Sequence, residues 1–335
     1  MRVAVIGAGA IGGTIAALLA RDGHDVEVTA RGDHLDAIRE HGIHLTGAWG
    51  EYAAKVDAAP ELRHAPELAI VTTKAQDAGA AMRDAAHLLR GIPVVIVQNG
   101  LSSVSEGRAA LPRADIVGAL ALFAASYVSP GVVTVTARGS TYLGGDESEA
   151  GLPALFVSRV LGAVMPVTVT DDFAGAQWTK LVVNQINALP AITGLSAQAV
   201  IANGQLRWVM TVSMRETVRV AASSGVRFAT LQGLSHRLLQ IFGLVPFALA
   251  QLLPLALARR MGSTPNPGST LQSIRRGQLT EIDYLNGAVV SAAETAGSTA
   301  PINATLVRLV HEVESTGRFL MPDEVIERVH RVPVP

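Results

Sequence analysis

The chain opens Met1-Arg2-Val3-Ala4-Val5-Ile6-Gly7-Ala8-Gly9-Ala10-Ile11-Gly12-Gly13, then runs through an Ala/Leu-rich stretch to Asp22 and a second apolar run over 25–29. Residues 2–6 are short and mostly apolar, the pattern of a strand buried on both faces. The glycines that follow mark a turn, and residues 11–22 have the composition of a helix. Strand, glycine turn, helix and strand within about thirty residues form a βαβ unit with the Gly-x-Gly-x-x-Gly spacing of a dinucleotide-binding loop. In such a loop Gly7 permits the tight turn, Gly9 lets the backbone approach a pyrophosphate, and Gly12 lets the helix pack closely on the sheet. The helix N-terminus adds unpaired N–H groups and the positive end of a dipole. Gly7, Ala8, Gly9, Ala10, Ile11 and Gly12 are therefore the expected phosphate-binding segment.

The second strand ends Thr29-Ala30-Arg31-Gly32-Asp33. An acidic residue there would accept the ribose 2′-hydroxyl of NAD. The guanidinium of Arg31 suits a 2′-phosphate instead, so NADPH is the expected cofactor, and Asp33 is expected to cap a helix starting at His34. Further on, 43–56 reads as a hairpin, 68–73 as a strand closed by Lys74, 75–90 as a helix, and 92–97 as a strand ending Gln98-Asn99-Gly100. Lys74 and Asn99 leave the sheet at the carboxyl ends of strands, where doubly wound sheets bind ligands. Purely local roles, a solvated lysine and a turn asparagine, fit the same positions. Residues 116–127, 132–136 and 141–143 read as strands added antiparallel to the sheet, and a helix over 152–164 and a strand over 167–170 close a first domain.

A length of 335 residues suits two domains. The expected division is 1–170, a Rossmann-type NADP-binding domain of α/β class, and 171–330, an all-helical substrate and catalytic domain. Hydrophobic residues make up 49% of the chain and the net charge is −1, which argues for a large aliphatic core and against nucleic acid as the main partner. With no cysteine, disulfides, thiol catalysis and thiolate metal sites are excluded, and the nine histidines show no ligand spacing, so no metal is expected. A strand begins at residue 2 with no signal segment ahead of it, which points to the cytoplasm.

Beyond 172 the pattern is helical, over about 172–190, 205–224, 228–260, 269–276, 281–296 and 301–315, with Gly194, Gly225, Gly268 and Pro301 as stops. In the first of these helices Lys180, Asn184 and Asn187 stand at i, i+4 and i+7, one polar stripe between apolar flanks. A solvated face and an active site are both compatible with that stripe. Residues 238–258 carry no charge, but Pro246, Pro254, Gln240 and Gln251 weigh against a membrane span and for a broken, buried or subunit-facing helix. A homodimer is compatible with the sequence. Ser269 stands where it can cap a helix. Thr280 with Asp283 has the spacing of a capping box, placing Glu281 in a first helical turn.

Together these motifs resemble the ketopantoate reductases (2-dehydropantoate 2-reductases) along nearly the whole chain. The resemblance rests on Gly7-x-Gly9-x-x-Gly12 with Arg31, Lys74, Gln98-Asn99-Gly100, Trp178-x-Lys180-Leu181 with Asn184, Ser269-x-Leu271-Gln272, and Thr280-Glu281-Ile282-Asp283-Tyr284-Leu285-Asn286-Gly287. It implies NADPH-dependent reduction of the 2-oxo acid ketopantoate to pantoate, on the route to pantothenate. It also implies Lys180 as catalytic lysine, Glu281 as substrate-orienting glutamate, and Asn99, Asn184 and Ser269 as substrate contacts. Where the family usually has a second asparagine, four residues past Asn184, this chain has Ala188, and Asn187 is the expected replacement. Ser273 stands where an acidic residue usually follows the Leu-Gln pair. A paralogous reductase of another 2-oxo acid or ketone, and an NADPH-binding sensor without catalysis, are the alternatives.

Overall fold

Arg2–Ile6 forms strand β1, and its alternate residues enter two cores: Val3 and Val5 on one face of the sheet, Ala4 and Ile6 on the other. This double burial is the physical reason for the nearly continuous apolar run. The computed structural model describes residues 1–145 and 151–331, and the chain divides into two units, Met1–Phe173 and Ala174–Pro335.

In the first unit β1 is followed by α1 (Ala10–Arg21), β2 (Asp25–Thr29), α2 (Gly32–His41), β3 (Ile43–Gly47), β4 (Tyr52–Ala54), β5 (Asp57–Ala59) and β6 (Leu68–Val71). Then come α3 (Ala75–Ala85), β7 (Pro93–Val97), α4 (Ser103–Ala110), β8 (Asp115–Ala121), β9 (Ala124–Ser129), β10 (Val132–Ala137), β11 (Thr141–Gly144), α5 (Leu152–Gly162) and β12 (Val167–Val169). Eight strands make one sheet in the order β12-β11-β8-β7-β6-β1-β2-β5. Every pairing in it is parallel except β11 with β8. The chain runs outward from β1 through β2 to β5, then crosses back to β6, so the strand order reverses between β1 and β6.

The other four strands form a second sheet, β4-β3-β10-β9, which packs over α1. Helix α1 is thereby covered on both sides, and Ile15, Leu18 and Leu19 are fully buried, each contributing about 2 kcal/mol of apolar burial. This arrangement corrects two sequence expectations. Residues 116–127 are not one strand but β8 and β9, parted at Leu122-Phe123, and β9 and β10 belong to the smaller sheet rather than extending the main one. A run of alternating apolar residues shows that a segment is extended, not which sheet it joins.

The second unit is built of helices: α6 (Phe173–Asn184), a 3₁₀ turn (Gln185–Asn187), α7 (Ala188–Thr193), α8 (Ala197–Ala202), α9 (Gly204–Ser223), α10 (His236–Leu244), α11 (Phe247–Ala250) and α12 (Leu252–Arg260). After these come α13 (Gly268–Arg275), a second 3₁₀ turn (Ile282–Tyr284), α14 (Asn286–Thr295), α15 (Pro301–Thr316) and α16 (Pro322–His330). The α/β first unit and helical second unit match the expected fold class. Helices α4, α8 and α16 were not anticipated. Gly268 and Pro301 begin helices rather than ending them, and Pro301 does so because its missing N–H lies where a helix has no partner for one. The expected helix over 228–260 begins only at His236 and is three helices broken at Val245-Pro246 and Gln251, and Leu238, Ile241 and Leu244 on them are exposed, so the uncharged stretch is only partly buried. No helix among the described residues is long and apolar enough to cross a membrane.

A buried polar network ties this unit together. Ser213 Oγ on α9 lies 3.0 Å from Gln185 Oε1 and 2.9 Å from Asn303 Oδ1, and Asn286 Nδ2 donates to the same two oxygens at 2.7 and 2.9 Å. Glu216 accepts from Ile302 N, Asn303 N and Asn303 Nδ2 at 3.0, 2.9 and 2.8 Å. Burial pushes the Glu216 carboxyl above its usual range, and these donors oppose the shift. The Asn286 Oδ1 is left without a partner among the described residues, while the other bonds of the network fix how the helices meet. The network sets the segment after Asn184 against the segment after Glu281.

Candidate active site

In the first unit the expected cofactor residues share one edge of the main sheet. The glycine loop leaves β1, Arg31 follows β2, Lys74 follows β6 and Asn99 follows β7, all at the carboxyl ends of adjacent parallel strands. The loop and Lys74 flank the point where the strand order reverses, the ligand position of a doubly wound sheet. Gly7 has φ +101°, and a Cβ there would lie 2.9 Å from Thr73 N. A Cβ on Gly12 would lie 2.1 Å from Gly7 O, so only glycine lets α1 cross the loop this closely.

Gly9 differs from both. It is the N-cap of α1 with φ −66°, an ordinary value, and a Cβ there would meet no protein atom within 4 Å. Nothing in the protein requires a glycine at 9; an open approach to the helix N-terminus does. The residues present therefore fit a dinucleotide: the loop and the start of α1 would hold the pyrophosphate, and the exposed Arg31 at the end of β2 would hold the adenosine phosphate.

Several residues that shape this edge were not singled out in the sequence. Thr29 Oγ1 accepts from Gly7 N at 2.9 Å, Thr29 O accepts from Ala8 N at 2.9 Å, and Thr72 Oγ1 donates to Gly7 O at 2.6 Å. Gly131 N donates to His34 Nδ1 at 2.9 Å, so the proton of the neutral ring is on Nε2, which lies 2.6 Å from Ala8 O and donates to it. His34 thus clamps the glycine loop from α2. It does not begin that helix: α2 starts at Gly32 with Arg31 as N-cap, and Asp33 lies in the first turn, where it complements the dipole rather than capping. The histidine spacing carries no signal of this role, because its partners are backbone groups brought close only by folding.

In the second unit Lys180 sits on α6, half-buried, and the opposite charge acting on it is Glu281, just ahead of the second 3₁₀ turn. Burial pushes the Lys180 ammonium down from 10.5 to about 8, and the Glu281 carboxylate pulls the other way. Such a group is poised to give up a proton near neutral pH. Asn184 is the last residue of α6, one turn beyond Lys180.

Asn187 departs from the single polar stripe. The α-helix stops at Asn184, and 3₁₀ geometry turns three residues per revolution. Asn187 therefore lies over Asn184, about 40° from the line of Lys180, rather than the about 20° a continuous helix would give. Its Oδ1 lies 2.5 Å from where a Cβ on Gly268 would be. Gly268 has φ +72°, so the glycine both permits the backbone and admits the carboxamide beside Ser269. Ser269 is exposed and lies inside α13, not at its cap. The capping box at Thr280 is absent as well. Thr280 Oγ1 accepts from Ile282 N at 3.3 Å across a 3₁₀ turn, and Asp283 pairs with His311 at 3.0 Å.

Glu27, Asp57 and His64 form the one group with metal-ligand spacing among the described residues, and the Arg63 guanidinium pairs with both carboxylates there. Residues 3–147 match the family described as ketopantoate reductase PanE/ApbA, and residues 172–314 match the description of its C-terminal part. The chain belongs to the ketopantoate reductase family. It is accordingly an NADP-dependent oxidoreductase acting on a CH–OH group, and NADP(H) is its cofactor.

Among similar proteins, the 2-dehydropantoate 2-reductase of Pyrococcus horikoshii is 29% identical over 320 residues, covering 95% of this chain and 99% of its own. That of Archaeoglobus fulgidus is 29% identical over 317 residues, 94% and 98% of the two chains. Of solved structures, a PanE/ApbA family ketopantoate reductase from Ralstonia eutropha aligns with TM-score 0.80 at 28% identity, covering 94% of this chain and 99% of that one. A D-mandelate dehydrogenase with NADH and anilino(oxo)acetate shares the fold with TM-score 0.80 at 23% identity, with coverage of 94% and 99%.

Proposed function

We propose that this ketopantoate reductase family member reduces 2-dehydropantoate to pantoate with NADPH, and that Lys180 donates the proton. The observation that carries the proposal is the Lys180 ammonium, held on a rigid helix beside Glu281 and brought down to about 8 by burial. With NADPH held by the glycine loop, Arg31 and Lys74, the chemistry it would supply is a hydride for the keto carbon. As negative charge develops on the oxygen, the Lys180 ammonium stabilises it and gives up its proton. Asn99, Asn184, Asn187 and Ser269 offer hydrogen bonds to the substrate carboxylate and carbonyl, and Glu281 accepts from the substrate hydroxyl. Gly7 to Gly12, Arg31 and Lys74 hold the phosphates of the cofactor, with Arg31 selecting the 2′-phosphate.

A second reading, another 2-oxo acid as substrate, has its own support. Ala188 is fully buried where the family usually has an asparagine, and Asn187 is turned onto Gly268. That a D-mandelate dehydrogenase has the same fold fits this alternative too. A panel of 2-oxo acids, followed by loss of reduced-nicotinamide absorbance with NADPH and NADH in parallel, separates the readings. Ketopantoate with NADPH is expected to give the highest kcat/KM. Turnover of other 2-oxo acids with none of ketopantoate overturns the substrate assignment. Tight NADPH binding with no turnover of any overturns the catalytic role.

A further inference from the structure

The near-zero net charge of the chain conceals a strongly basic stretch. Residues 204–262 contain seven arginines, no lysine or aspartate, and one glutamate, Glu216. Within this stretch the second unit holds a cavity of about 980 Å³ between α9 and the segment from Gly225 to Phe247. That size is at the upper end for small-molecule sites, and none of Lys180, Asn184, Asn187, Ser269 and Glu281 lines it.

The cavity has two chemically distinct parts. Val218, Phe228 and Phe247 supply apolar wall. Arg215, Arg219 and Arg227 stand around it, and their charges are poorly balanced. Arg215 is committed: its Nη2 donates to Gly243 O at 2.5 Å and its guanidinium lies 6.0 Å from the Phe247 ring centre. Arg219 and Arg227 are exposed, and neither makes a hydrogen bond or close ion pair among the described residues. Glu216, the only acid in the wall, is 1% exposed, has both oxygens engaged by the start of α15, and meets Arg219 only through a charge interaction without a hydrogen bond.

Exposed guanidinium groups with no hydrogen bond or close ion pair at the side of an apolar cavity are complementary to one class of ligand. We propose that this cavity binds an amphiphilic monoanion, a medium-chain carboxylate, with its carbon chain against Val218, Phe228 and Phe247 and its head group on Arg219 and Arg227. The site is separate from the Lys180 chemistry, so its test reads binding alone and stands whatever the substrate of the reductase proves to be.

The experiment is calorimetric titration of the full chain with decanoate, kept below its micelle-forming concentration, with decanol as the uncharged control. Saturable binding of one decanoate per chain is expected, weakening with added salt. Decanol, and decanoate against the Arg219→Ala/Arg227→Ala variant, should each bind at least about tenfold more weakly, because a charge-assisted contact is lost. Ala222→Trp, which fills the cavity from an exposed position and keeps every charge, should abolish binding. Both variants alter exposed side chains, and unchanged melting curves confirm their folding. The proposal is overturned by the absence of a saturable signal, or by decanoate affinity that neither variant changes. It is equally overturned if sedimentation with phosphatidylglycerol vesicles shows arginine-dependent binding while free decanoate does not bind, since the arginines would then serve a lipid surface.

Discussion

Replacing Lys180 with methionine should make the protein more stable while removing its chemistry. In the folded chain the ammonium drops from 10.5 to about 8 even with Glu281 opposing the shift, a difference of about 3 kcal/mol against the charged form. Below pH 8 the lysine is charged in both folded and unfolded states, so the folded state bears the whole penalty. As pH rises from about 8 toward 10.5 the folded protein sheds the proton first and the penalty is relieved. Methionine keeps an unbranched apolar stem in the same space and carries no charge to desolvate. Lys180 is half-buried, so screening by solvent reduces the realised gain to about 1–2 kcal/mol. In a unit of this size each kcal/mol raises the melting midpoint by about 2–4 °C. The assay is thermal unfolding of the cofactor-free wild type and Lys180→Met by circular dichroism at pH 7 and pH 9.5. The variant should melt higher at pH 7, with a smaller gap at pH 9.5, and its turnover should fall by about 10²–10⁴-fold. A lower midpoint at pH 7, or a gap that does not narrow at pH 9.5, would refute the burial argument.

Four further outcomes follow from the structure. If Lys180 is the acid, kcat/KM for reduction should be flat below about pH 8 and fall about tenfold per pH unit above it; a wild-type profile still flat at pH 9.5 would contradict the assignment. Arg31→Gln should raise KM for NADPH by about 10- to 100-fold with little change for NADH, and an equal effect on both would remove the 2′-phosphate role. Gly12→Ala should destabilise the fold by about 2 kcal/mol or more through its collision with Gly7 O, read by chemical denaturation. Gly9→Ala should instead leave stability unchanged and weaken NADPH binding, as measured by fluorescence titration.

The first unit was largely legible because its signals are local. The strand over 2–6, the glycine turn and the strand over 25–29 follow one another directly along the chain, and Gly7 and Gly12 each have a local stereochemical reason. The strands after 115 were less legible. β9 and β10 are extended by their own composition, but β3, the partner of β10 on its other side, lies far back along the chain, and nothing in either segment names it. In the second unit the helices were mostly visible and their boundaries were not. Pro301 and Gly268 read as stops in isolation, yet one fits a helix start and the other leaves the space that the Asn187 carboxamide occupies.

By itself, the sequence displayed a dinucleotide loop in its βαβ setting, an arginine at the end of the second strand, and motifs around Lys180 and Glu281 that resemble the ketopantoate reductases. Residue type and short-range spacing suffice for that. Only the tertiary structure decided that Lys180 and Glu281 act on each other, that α6 gives way to a 3₁₀ turn before Asn187, and that Gln185 and Asn286, 101 residues apart, share one buried network. The shift of the Lys180 ammonium to about 8 belongs to this second class. The shift comes from the water that packing removes around the charge, a property of the folded surroundings that no stretch of sequence carries alone.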